Sequence, residues 1–318
     1  MTAAEQTAIP SFISSAETEF GETRMGEIIT PPASLIVASY NIRYAVGQFL
    51  IPTGILRKVG FNVPRNRSQA VARNIRLAAH AFSEGLRLPP AHVLALQEAD
   101  KETTRSGGRH ITRELASLLR MDWVHVAAGI PRGIEPKERQ WWLNFEEQIG
   151  MQDSGDTGVA LLSSFPMQDV SRIDLPWREC PWRPRLSVGA TIRIGSGSLR
   201  IFNSHIDPHS SSGGQLEQLA VVLDRADNFS GPTIVLGDFN TLSRRKCIES
   251  RLMLEARGYT TPFPTGTPTW RGAGLLMHAD WIYVRNLTVR RWGVARGITV
   301  SDHWPVWVEI DMSSESRL

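Results

Sequence analysis

Asp238 and Asn240 stand two residues apart where an apolar run, Ile234-Val235-Leu236-Gly237, ends in Asp238-Phe239-Asn240-Thr241. On an extended strand such neighbours face the same side, so one spot receives a carboxylate and an amide together. That pair suits a phosphate or its counter-ion, because the acid takes a proton or binds a cation while the amide donates. A strand closing in an Asx turn explains the same residues as well, so the weight falls on their companions. Leu35–Tyr40 leads into Asn41-Ile42-Arg43, and Val93–Leu96 leads into Gln97-Glu98. Leu199–Phe202 delivers Asn203-Ser204-His205-Ile206-Asp207, where alternation puts Asn203, His205 and Asp207 on one side. Asp280 heads the run Trp281–Val284, and Asp302-His303 precede a closing strand in which Val306, Val308 and Ile310 alternate. If these ends converge, they assemble carboxylates, amides and two histidines. Scattered carboxylates without cysteine ligands suit a hard cation, Mg²⁺ or Mn²⁺. Together with histidine and aspartate, such an ion meets the needs of phosphate-ester hydrolysis.

The elements that must carry these residues alternate between strands and helices. Residues 69–86 read as a helix with Ala70, Ala72, Ile75, Leu77, Ala78, Ala79 and Phe82 inward and Arg67, Arg73 and Arg76 wet. Shorter helices are expected at 111–119 and 215–226, and a Gly195-Ser196-Gly197-Ser198 turn joins two strands. Two segments, 45–64 and 129–156, read as long loops. In the second, Trp141 and Trp142 either anchor the loop or stack on a ligand. Ser243-Arg244-Arg245-Lys246 is a basic patch or a solvated helix start.

The 318 residues are 42% hydrophobic with a formal net charge of +3, enough for a sizeable core and too little charge to demand a nucleic-acid partner. Two cysteines, Cys180 and Cys247, offer neither a disulfide framework nor a cysteine-rich zinc site. No apolar run reaches membrane-spanning length, and the first residues lack the pattern of a signal peptide, so the expected location is cytoplasmic. The expected organisation is a flexible leader over 1–33, one domain over 34–311 and a polar tail over 312–318. A monomer is expected.

In chain order, Ser39-Tyr40-Asn41-Ile42-Arg43, Leu96-Gln97-Glu98, Gly158–Ser163, Asn203-Ser204-His205, Gly237-Asp238-Phe239-Asn240, Asp280-Trp281-Ile282 and Ser301-Asp302-His303 resemble the endonuclease/exonuclease/phosphatase (DNase I-like) superfamily. No single piece is specific, and the ordered set is. The resemblance implies a mixed α/β fold, the four-layer α/β/β/α sandwich, with the site at one edge of two packed sheets. It implies Glu98 as the principal metal ligand with Asn41 and Asp302 close by, the ion being Mg²⁺ or Mn²⁺. His303, oriented by Asp280, would serve as base or phosphate ligand. Asp238 would position or deprotonate the water, Asn240 would hold a phosphate oxygen, and His205 would donate near the leaving group. Arg43, Arg185, Asn41 and Asn203 would contact substrate. Arg43 stands where abasic-site endonucleases tend to carry an acid and His205 where they tend to carry tyrosine, which tilts the expectation toward a general phosphodiesterase. The expected activity is metal-dependent hydrolysis of a phosphodiester, nuclease-like. A phospholipid or sugar-phosphate headgroup is the alternative, and an idle binding module the remote one.

Overall fold

The computed structural model describes residues 18–23, 30–47, 66–132, 149–176, 184–272 and 274–312. Its strands are β1 (Thr18–Gly21), β2 (Ser34–Asn41), β3 (Val93–Gln97), β4 (Asp122–Ala127), β5 (Gly158–Ser163), β6 (Met167–Asp174), β7 (Leu186–Ile194) and β8 (Gly197–His205), followed by β9 (Thr233–Asp238), β10 (Trp270–Gly272), β11 (Leu275–Met277), β12 (Asp280–Arg285), β13 (Val289–Val294) and β14 (Val306–Asp311). The α-helices are α1 (Arg67–Ser83), α2 (Ile111–Leu119), α3 (Ser212–Ala226) and α4 (Arg244–Ala256). Seven strands form one sheet in the order β1-β4-β5-β3-β2-β14-β13, five form a second in the order β12-β9-β8-β7-β6, and β10-β11 is a separate hairpin.

Strand alternation sorts the side chains into layers. On β2, Leu35 and Val37 belong to the core between the sheets, whereas Ala38 and Tyr40 face α1 and α2. Val71, Ile75, Ala78 and Phe82 of α1, with Ile111 and Leu115 of α2, close that outer face. Leu219, Val222 and Leu223 of α3 and Leu254 of α4 join the core on the second sheet, where α3 packs on β8 and β9. The result is the α/β/β/α order expected from the sequence. Burial of these apolar faces, at roughly 25 cal/mol per Å², is the main force holding the layers together.

Several details differ from expectation. Leu77 is exposed, because it follows Ile75 by two residues and so points about 200° round the helix. Thr18–Gly21, inside the expected leader, pairs antiparallel with β4 and edges the first sheet. The basic patch at 243–246 is a helix start: Ser243 caps α4 by accepting from the Lys246 amide, Arg245 pairs with Glu249, and Lys246 Nζ donates to the Ser210 carbonyl. Trp141, Trp142 and Cys180, most of 45–64, much of 129–156 and nearly all of 312–318 lie outside the described residues. No helix among those described is long and apolar enough to cross a membrane.

Gly237 sets the approach of β8 to β9. Its φ is +135°, and a side chain there would overlap the Ser204 carbonyl oxygen. Gly237→Ala should therefore destabilise the fold by more than about 3 kcal/mol, read as a lowered midpoint in thermal unfolding. An unchanged midpoint would contradict this packing.

Candidate active site

Sheet register builds the centre of the site. Asp238 ends β9, with His205 its partner on parallel β8 and Asp280 its partner on antiparallel β12. All three side chains lie on the face turned toward the first sheet, so adjacent strands hold two carboxylates and an imidazole in a row. From the opposite sheet Asn41 closes on them: its amide donates to Asp238 Oδ2 at 2.8 Å. His303, arriving on the segment before β14, places Nδ1 2.9 Å from Asp280 Oδ2 and Nε2 3.8 Å from Asp238 Oδ2. His205 Nε2 lies 3.7 Å from the same Asp238 oxygen and 3.8 Å from Glu98 Oε1.

Asn240 follows Asp238 through a tight turn in which its own amide N–H donates to Asp238 Oδ1 at 3.0 Å. Its φ of 51° is left-handed, a conformation asparagine tolerates better than most residues. The Asn240 side chain donates to the Ile206 carbonyl at 2.9 Å, and an amide nitrogen carries a second hydrogen for a ligand. Arg185 is buried beside His205, with Nη1 2.8 Å from Nε2 and 3.0 Å from Nδ1, and its Nε lies 3.8 Å from Asp207. A guanidinium only donates, so the imidazole meets it as an acceptor. Burial opposes the Asp207 charge, yet Arg185 and the Ser210 hydroxyl hold that carboxyl below the usual range. Glu98, Arg185 and His205 line a cleft whose apolar walls include Ile130, Val159 and Leu186.

At the mouth, Asp302 Oδ2 receives the Trp270 indole N–H at 3.1 Å and faces Arg43 Nη1 at 3.4 Å. Arg43, Tyr44 and Ala45 are all left-handed, as is Glu98 at φ 51°. Each such non-glycine residue costs roughly 1–2 kcal/mol, so surrounding contacts must hold the turn.

Asn203, expected to contact substrate, stands apart from the other candidates. It shares a face with His205 but lies one pleat deeper, fully buried. Its amide donates to the Leu96 and Ala160 carbonyls at 2.8 and 2.9 Å, and its oxygen accepts from Gln97 Nε2 at 2.6 Å. Those bonds tie the two sheets together. Gln97, which also bonds Ser39, and Trp270 are the positions sequence reasoning passed over. The only hint at Gln97 was its place beside Glu98, and Trp270 lies 32 residues from its partner.

Asp238 and His303 are also displaced from their ordinary ranges. Burial pushes the Asp238 carboxyl up, and Asp280 and Glu98 push the same way against His303 and Asn41. Burial alone would lower His303, but the Asp280 and Asp238 carboxylates outweigh it and raise the imidazole to about 10. His303 is thus an imidazolium clamped between two acids. The oxygens of Glu98, Asp302 and Asn41 flank this centre, where one side-chain atom from each of Asp238, Asp280 and His303 lies within 4.8 Å of the others. Asp280 Oδ1 is buried with no hydrogen-bond partner. Glu98, Asp302 and Asn41 together offer two carboxylates and an amide oxygen with no sulfur, a donor set that fits a hard divalent cation.

A raised folded-state pKa contributes stability that is full below the unfolded value, 6.5, and is lost as pH climbs toward about 10. The stability advantage of the metal-free wild type over His303→Asn should therefore be largest below about pH 6.5 and shrink toward pH 10. Chemical denaturation at fixed ionic strength checks this; an advantage that grew with pH would contradict it.

Known proteins share this arrangement of strands. The Endonuclease/Exonuclease/phosphatase family model matches residues 38–303. No curated protein matches the chain. Among solved structures, an endonuclease/exonuclease/phosphatase from Beutenbergia cavernae DSM 12333 is 16% identical, with a TM-score of 0.61 over 88% of this chain and 72% of its own. A mannosyl-6-phosphatase from Bacteroides thetaiotaomicron VPI-5482 is 16% identical, with a TM-score of 0.54 over 87% of this chain and 99% of its own. TDP2 from Caenorhabditis elegans is 15% identical, with a TM-score of 0.52 over 87% and 74%. At these identities the neighbours speak to the fold alone, and it is the family match over residues 38–303, in register with the strand ends that meet at Asp238, that makes this chain a member of the endonuclease/exonuclease/phosphatase family.

Proposed function

We propose that the chain is a phosphoesterase dependent on Mg²⁺ or Mn²⁺, hydrolysing a phosphodiester by in-line attack of water. The observation that carries this reading is the convergence on Asp238 Oδ2 of Asn41 at 2.8 Å, His205 at 3.7 Å and His303 at 3.8 Å. Glu98, Asn41 and Asp302 would hold the ion, whose chemistry when bound is neutralisation of phosphoryl charge as it develops. Asp238, raised by burial, is suited to take a proton from the attacking water. His303 is suited to donate to a phosphoryl oxygen, because the acids on both of its nitrogens keep it cationic. Of the two roles open to it, base or phosphate ligand, that charge favours the second. Asp280 orients it. Asn240 would offer its second amide hydrogen to the same phosphoryl group, and the Arg43 and Arg185 guanidinia would add positive charge to the site. His205 stands between Arg185 and Asp238, in place to pass a proton to the departing oxygen.

The substrate divides two readings. A nucleic acid needs a basic track, yet Arg245 and Lys246 are engaged with Glu249 and Ser210. Arg244 and Arg245 nonetheless stay exposed, so salt dependence separates a polyanion from a compact sugar-phosphate or phospholipid headgroup. The mannosyl-6-phosphatase neighbour is by its name a sugar phosphatase. Raising salt from 50 to 200 mM would weaken polyanion turnover by orders of magnitude and headgroup turnover only a few-fold.

Purified protein incubated with bis-p-nitrophenyl phosphate, plasmid, single-stranded DNA, RNA, sphingomyelin, phosphoinositides and sugar phosphates, with Mg²⁺, Mn²⁺ or EDTA, should show turnover abolished by EDTA. Asp238→Asn should lower kcat by about 10²–10⁴ in protein that still unfolds cooperatively. Wild-type rates in Asp238→Asn would sink the assignment.

A further inference from the structure

Arg105 lies outside every motif considered above, yet it ties together two loops that carry site residues. It is 5% exposed and bonds the fully buried Asp100 at two points, Nε to Oδ2 at 2.7 Å and Nη2 to Oδ1 at 2.8 Å. The flat face of its guanidinium lies 3.3 Å from the centre of the Tyr44 ring. Tyr44 follows Arg43 directly, and Asp100 comes two residues after Glu98. The two loops also meet through backbone: the Ile42 amide donates to the Gln97 carbonyl at 3.1 Å and the Tyr44 amide to the Glu98 carbonyl at 3.0 Å. Asp100 is fixed in turn, accepting from the Thr103 hydroxyl at 2.5 Å, while its carbonyl receives the Ile111 amide at the start of α2. The left-handed residues Arg43, Tyr44, Ala45 and Glu98 all fall within the clamped segments. Left to itself, a non-glycine chain relaxes out of that region.

We propose that Arg105 is a positioning residue: pinned to Asp100 and stacked on Tyr44, it locks the loop after β2 to the loop after β3 and so holds Arg43 and Glu98 at the site. The consequence for catalysis rests on the phosphoesterase reading; the lock itself does not. The planar, two-point guanidinium is what the geometry uses. A lysine would neutralise Asp100 but could neither bond it twice nor lie flat on the ring. Phenylalanine at 44 would keep the stacking surface, and leucine would remove it.

The test compares wild type with Arg105→Lys, Tyr44→Phe, Tyr44→Leu and the Arg105→Lys/Tyr44→Leu pair. Four readouts serve: amide hydrogen exchange, thermal unfolding, calorimetric titration with Mn²⁺, and turnover of bis-p-nitrophenyl phosphate. Tyr44→Phe, which keeps the ring, should protect the amides of residues 42 and 44 better than Tyr44→Leu does. Arg105→Lys and Tyr44→Leu should each speed exchange at the Ile42 and Tyr44 amides by about tenfold or more while β8 and β9 keep wild-type protection. Each should weaken Mn²⁺ binding by about fivefold or more, and the pair should be no worse than either alone. Wild-type exchange at those two amides in Arg105→Lys would overturn the proposal, as would a uniform rise across all strands, which marks general loss of stability. If wild type neither binds Mn²⁺ nor turns over substrate, the phosphoesterase reading fails and the exchange data still decide the lock.

Discussion

Asp238 and Asp280 place two carboxylates side by side on paired strands, in a space that is at most 1% exposed. Burying charge is costly unless it is compensated on the spot, and most of the remaining site can be understood as that compensation. His303 supplies a cation between the two acids, Asn41 reaches across from the other sheet, and the Asn240 amide covers the remaining oxygen of Asp238. Neighbouring strands stand about 4.8 Å apart, so register alone sets the spacing of His205, Asp238 and Asp280. A slip of one residue would turn all three away from the gap between the sheets.

The row is stiff because of what lies beneath it. Ser39, Gln97 and Asn203 form a fully buried polar layer that bonds the sheets to each other one pleat below the acids. Above it, exposure increases outward: Glu98 and Asp302 keep 14% and 16% of their side-chain surface open, against 1% for Asp238. Groups suited to proton transfer are thus dry and fixed, while those suited to holding an exchangeable ion sit at the mouth. Preorganised dipoles in a water-poor interior are the usual source of large electrostatic effects on charged transition states.

Much of this was legible in the sequence because strand periodicity reports which face a residue occupies. The apolar runs ending at Asn41, Glu98, His205 and Asp238 lie on strands that meet at one edge, in the family's order. Periodicity does not report depth, however. Asn203 and His205 share a face, but the two-residue step between them, about 6.6 Å, separates an inter-sheet bolt from a site residue. Partnerships across long separations were equally silent, as with the Trp270 indole on Asp302 and the Arg185 guanidinium on His205. The edge strands β1, β6 and β13 escaped notice for a related reason. Half-exposed strands carry mixed polar side chains, and their pairing is decided by the neighbour rather than by their own pattern.

The proposed hard cation would lie at the mouth, with Asp238, Asp280 and His303 behind it. An anomalous-difference map from a crystal soaked in Mn²⁺ would locate the ion directly. The expected peak lies within bonding distance of the Glu98 carboxylate, on the side of Asp302 and Asn41, with His303 still bonded to Asp280. A peak seated on His303 itself, or none near Glu98 at saturating Mn²⁺, would contradict it.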